Sequence, residues 1–147
     1  MKLLQIYLFL FAVLTGASVP SWAETLISEK EAALPPMETK PASRSIVRGP
    51  VVKWVSPKNE VSVNSPFELK VLLEAREGVK IDQSSLKVIY LKSPPVDLTP
   101  RLKSSITPNG IEITQAEVPP GSHTIRLTIK DLEGRETNSQ LTIKVNQ

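Results

Sequence analysis

The chain predicts an all-β protein: a single antiparallel β-sandwich of about seven strands over residues 50–147. Three observations carry this. Beyond Gly49-Pro50 the apolar residues alternate with polar ones in short runs. Turn residues punctuate those runs, and no segment between them has a helical period. None of the 13 prolines falls inside a predicted strand core, as expected because proline cannot donate to a β-ladder.

The clearest strands are Phe67, Leu69, Val71 and Leu73 alternating with Glu68 and Lys70; Ile125, Leu127 and Ile129 alternating with Thr124, Arg126, Thr128 and Lys130; and Leu141, Ile143 and Val145 alternating with Thr142 and Lys144. Val51 to Val55, Leu86 to Leu91 and Ile111 to Thr114 complete the set, with a weaker strand at Leu102 to Thr107. Leu86 to Leu91 is apolar on both faces apart from Lys87, the pattern of a central strand or of one covering a partner. Asn109-Gly110 signals a type I′ hairpin, because both residues tolerate positive φ. Asp131-Leu132-Glu133-Gly134-Arg135 signals a second hairpin, with Gly134 in the left-handed position.

Residues 1–23 read as a cleavable signal peptide: Lys2, then the apolar run Leu3 to Leu14, then Ser21-Trp22-Ala23 as a small-x-small cleavage site. About a dozen apolar residues fall short of the roughly 20 that span a bilayer. The mature chain is therefore expected to begin at Glu24, to have no membrane segment, and to be periplasmic or secreted. Residues 24–49, with Pro35, Pro36 and Pro41, read as a flexible linker. Within it Ser28 and Glu31 form a capping-box pattern before Pro35, which predicts a short, fraying helix.

Composition excludes several functions. The net charge is +3, and loss of Lys2 leaves 17 basic against 15 acidic side chains, interspersed as in Glu68, Lys70, Glu74, Arg76, Glu77 and Lys80. No basic cluster of the kind that binds nucleic acid is present. Cysteine is absent, so disulfides and thiolate chemistry are too, and burial alone must hold the domain. His123 is the one histidine and no Gly-x-Ser-x-Gly elbow occurs, which removes the usual nucleophile and base pairings and predicts a non-enzymatic protein.

Over Val118-Pro119-Pro120-Gly121-Ser122-His123-Thr124-Ile125 and Ile129 to Arg135 the chain resembles bacterial immunoglobulin-like (Ig-like, cadherin-like) β-sandwich domains. That resemblance implies a Pro-Gly turn feeding a penultimate strand, an Asp-x-x-Gly hairpin, and Leu141 to Val145 as the closing strand. It speaks for architecture and is nearly silent on function. His123 stands where many such domains carry a tyrosine whose hydroxyl pins the corner.

No cofactor or metal is expected. One histidine and a single mature methionine, Met37, cannot supply a zinc or copper set. Periplasmic copper carriers are similar sandwiches, but their ligands, including an N-terminal histidine, have no counterpart here. Calcium would draw on Asp82, Asp97, Asp131 and Glu133, in or near predicted loops but without Asp-x-Asp spacing. A sugar would need aromatic platforms, and only Trp54, Phe67 and Tyr90 remain after cleavage, all better placed as core. The least ordinary loop is Ser93-Pro94-Pro95-Val96-Asp97-Leu98-Thr99-Pro100-Arg101: a crossover between sheets, or a surface presenting Pro94, Pro95, Asp97 and Arg101 to another envelope protein. The expected function is thus protein binding, with an accessory carbohydrate- or calcium-binding module as the alternative.

Overall fold

A computed structural model describes residues 23–38 and 48–147. The proposed signal peptide, up to Trp22, lies outside the described residues, as does part of the expected linker. The elements are β1 (Glu24–Thr25), α1 (Glu29–Ala32), β2 (Val51–Ser56), β3 (Ser62–Val63), β4 (Phe67–Glu74), β5 (Ile81–Tyr90), β6 (Val96–Asp97), α2 (Thr99–Leu102), a 3₁₀ turn at Lys103–Ser105, β7 (Ile106–Thr107), β8 (Gly110–Glu117), β9 (Gly121–Asp131) and β10 (Glu136–Val145).

These form two five-stranded sheets, one ordered β1-β8-β4-β2 with β7 also on β8, the other β3-β10-β9-β5-β6. The expected all-β sandwich is present, with two differences. Among the described residues ten strands stand where about seven are expected, because β1, β3 and β6, two residues each and too short for any periodic signal, extend the sheet margins. The sheets are also mixed, since β1 runs parallel to β8 and β3 parallel to β10.

The alternation places Phe67, Leu69, Val71 and Leu73 of β4 and Ile125, Leu127 and Ile129 of β9 inward, in one core with Leu141, Ile143 and Val145 of β10. β5 is second from its sheet's margin rather than central, with β9 on one side and only the short β6 on the other. The weak strand expected over Leu102 to Thr107 is mostly helical. Pro100 suits the first turn of α2, and the chain extends only at β7.

The Asn109-Gly110 signal marks a real hairpin whose turn is not type I′. Thr107 pairs with Gly110, so Pro108 and Asn109 are the central residues. The ring of Pro108 holds φ negative, and Asn109 is not among the positive-φ residues. Gly110 does have φ +148°, and its α-carbon sits so close to β4 that an added Cβ would lie 1.9 Å from the Val71 carbonyl oxygen. The second hairpin forms as expected, with Gly134 at φ +78° and the Asp131 carboxylate accepting from the backbone N–H of Glu133 and Arg135.

Candidate functional site

The two sheets are tied to each other along both flanks. On one side, Trp54 of β2 donates its indole N–H to the Ser139 hydroxyl of β10 at 2.8 Å, and the Thr137 hydroxyl donates to the Pro50 carbonyl at 2.6 Å. On the other, residues 92–107 cross from sheet to sheet, and residues 24–38 run alongside them.

Residues 24–38 are where expectation and structure diverge most. The sequence predicts a flexible linker; over these residues the structure shows a docked strap. β1 pairs with Ala116 and Glu117, and the N–H groups of Leu26 and Ile27 both point to the Glu117 carbonyl. The Leu26 and Ile27 side chains are each only 1% exposed, at the core. Burying two such side chains favours docking by roughly 1.5–3 kcal/mol each.

The predicted capping box then forms. The Ser28 hydroxyl accepts from the Glu31 N–H, and the Glu31 carboxylate accepts from the Ser28 N–H. One turn of helix would fray alone, but here it is packed and tied. Arg101 of α2 forks onto Glu31, with Nη1 to Oε2 at 2.9 Å and Nη2 to Oε1 at 2.5 Å, while Nη1 also donates to the Leu26 carbonyl. Through the Arg101 hydrogen bond first, and the Ser28 donors against the cost of burial, the Glu31 carboxyl is lowered to about 2. The same contact raises the Arg101 guanidinium. Lys92 donates to the carbonyls of Ala32 and Leu34, Ser93 N–H to that of Pro35, and Met37 N–H to that of Leu91.

Beneath the strap lie two buried rings. Tyr90 is 0% and His123 2% exposed. His123 Nε2 is 2.8 Å from the Pro119 carbonyl, which can only accept, so Nε2 carries the proton. Nδ1 is then the acceptor for the Tyr90 hydroxyl, at 2.8 Å. The bond to the backbone four residues upstream does for this turn what a corner tyrosine hydroxyl does elsewhere, with imidazole in its place. Burial lowers His123, and the nearby Lys92 adds to this against the Pro119 bond. Burial, then the Glu31 charge, pushes Tyr90 up to about 12. Both rings are neutral near pH 7, and with every polar atom paired, neither is set up as an acid, base or nucleophile.

The loop residues singled out from sequence divide. Pro94 and Pro95 are exposed, and Asp97 is exposed in β6. The Asp97 carboxylate accepts from Thr99 N–H at 2.9 Å, so its pKa is lowered chiefly by Thr99. Arg101, its side chain 35% exposed, turns its guanidinium onto the strap, to Glu31 and the Leu26 carbonyl. Sequence reasoning missed Glu31, Lys92, Leu26 and Ile27 as partners of this loop. The available signal was the adjacent apolar pair before the capping box, which a solvated linker does not need.

The acids considered for calcium have other partners, and Asp131 and Glu133 share Arg135. Asp82 accepts from Ser84, Asp97 from Thr99, and Asp131 holds Arg135 Nε at 2.7 Å. Among the described residues no three His, Cys, Asp or Glu side chains gather as metal ligands. Phe67 and Tyr90 are core, and Trp54 is partly buried against it. An open cleft of about 720 Å³ lies between the strap and the C-terminal end, lined by Ser28, Lys30, Asn64, Glu117, Pro119 and Asn146 among others. No helix among the described residues is long and apolar enough to cross a membrane.

Fold and site together define a class: a small all-β, two-sheet sandwich, cysteine-free, closed on one side by its own N-terminal strap. No family model and no curated protein matches the chain. Among solved structures, the crystal structure of CopC from Methylosinus trichosporium OB3b aligns with a TM-score of 0.45 at 14% identity, covering 66% of this chain and 93% of that one. No family, ligand or residue role follows from a likeness of this degree.

Proposed function

We infer that this is an exported, non-enzymatic module, periplasmic or secreted, that binds another envelope protein through the β5–β6 loop. The observation that carries the reading is a stiff, exposed tip anchored on both sides. Pro94 and Pro95 project from a loop fixed by Ser93 N–H to the Pro35 carbonyl before them and by Leu98 N–H to the Val88 carbonyl after them. A tip ordered before binding loses little entropy on contact, which raises affinity without added area. Asp97 adds one exposed charge for orientation.

The test is capture of a defined partner from envelope extract by the processed chain, compared with Pro95→Asp and Asp97→Lys variants. Loss of the partner with an unchanged melting temperature supports the reading. Equal retention by the variants, or no partner at all, contradicts it.

The accessory ligand-binding reading is supported by the open cleft, whose apolar Ile27, Val118, Pro119 and Pro120 are interspersed with hydroxyl, amide and charged groups that could orient a small ligand such as a carbohydrate. Amide shift changes at Asn64 and Asn146 during titration with envelope glycans would favour it over the loop.

A further inference from the structure

The strap has the anatomy of a bound peptide. It adds a short strand to the outer edge of β8, places two apolar side chains in the core, offers a carboxylate to an arginine fork, and ends in an extended Pro35-Pro36 segment that bridges to Lys92. Apart from its one capped turn, these contacts are made to residues far along the chain: Arg101 is 70 positions from Glu31, and Lys92 is 60 from Ala32. Nothing in this interface depends on the strap and groove belonging to the same molecule.

We propose that the groove between the β8 edge and the β5–β6 loop takes residues 24–38 of a second copy of the chain, giving a two-fold dimer by strap exchange. The interface in trans is identical to the one described in cis, so the two forms differ only in chain connection and concentration. The connection from residue 38 to residue 48 can reach roughly 35 Å when extended, enough to enter a neighbour's groove. Closure in cis corresponds to an effective concentration on the order of millimolar. Exchange is therefore favoured where copies are crowded, or where cis pairing is disfavoured. This inference goes beyond the partner proposed for the Pro94-Pro95 tip, since a strap from either copy offers Ser93 the same Pro35 carbonyl.

The Arg101–Glu31 fork provides the test. Glu31→Arg places two guanidinium groups together within one copy, and Arg101→Glu places two carboxylates together. Mixed one to one, the basic strap of the Glu31→Arg variant matches the acidic groove of the Arg101→Glu variant. The unchanged Glu31 strap of the second likewise matches the unchanged Arg101 groove of the first. Light scattering on a sizing column is expected to show each variant alone as mainly monomer, the mixture as dimer, and the Glu31→Arg/Arg101→Glu double variant as monomer. A mixture of two folded variants that stays monomeric overturns the proposal. Should either variant fail to fold, unlabelled and ¹⁵N-labelled wild-type chains are held together near millimolar concentration and read by native mass spectrometry. Mixed-mass dimers that dissociate on dilution support exchange; monomers throughout overturn it.

Discussion

Arg101 grips both carboxylate oxygens of Glu31, at 2.9 and 2.5 Å, across 70 positions of sequence. The pair joins the crossover on the sandwich's flank to the N-terminal strap. Both side chains are partly buried, so the contact is screened less than a surface pair. Arg101→Ala or Glu31→Gln is expected to lower stability by about 1–2 kcal/mol in denaturant titrations. Because the folded Glu31 pKa is about 2 against an ordinary 4.5, the contribution is present above pH 4.5 and lost as pH falls toward 2. In Glu31→Gln that part of the acid dependence disappears.

His123 makes a separate pH prediction. Its folded pKa lies below the ordinary 6.5, so the unfolded chain takes up the proton first. Stability is then unaffected above 6.5 and declines as pH drops below it, by at most about 1.4 kcal/mol per pH unit. As His123 is the only histidine, His123→Gln is expected to flatten the melting temperature between pH 5 and 6.5, with a lower value overall from the altered Tyr90 contact. A slope unchanged in that variant would contradict the buried, neutral assignment.

Trp54 and Ser139 tie the opposite flank. In a chain that begins at Glu24, Trp54 is the one tryptophan, so its fluorescence reports on this contact alone. Trp54→Phe and Ser139→Ala are each expected to cost about 1 kcal/mol, and the double variant little more than either, since both remove the same hydrogen bond. Additive losses would show that the bond contributes nothing of its own.

Gly110→Ala places a methyl group against the Val71 carbonyl, at a backbone φ of +148° that alanine rarely adopts. A loss of roughly 3 kcal/mol or more is expected in chemical denaturation. Gly134→Ala, with open space around the Cβ position, is expected to cost less, through φ alone.

Much of the sandwich was legible in the sequence. β4, β9 and β10 announce themselves because one face is dry and the other wet, which forces alternation. Asp131 and Gly134 fix their hairpin through a side-chain acceptor and a left-handed φ, both local effects. What escaped was set by distant partners. Ser28 and Glu31 revealed a helix start, but not that Arg101 would hold it. Leu26 and Ile27 form too short an apolar run for any period. The Asn109-Gly110 signal was shifted by one residue because Pro108 joins the turn. His123 reads as a solitary side chain until Tyr90 and the Pro119 carbonyl are brought to its two nitrogens. In each case a local signal named the residue, and tertiary packing decided its partner.

Residues 24–38 are built into the sandwich rather than hanging from it. Amide hydrogen exchange on a chain beginning at Glu24 measures this directly at Leu26, Ile27 and Met37, whose N–H groups donate to the carbonyls of Glu117 and Leu91. Protection approaching that of the β9 amides is the predicted result. Exchange at the rate of an unstructured peptide would contradict it.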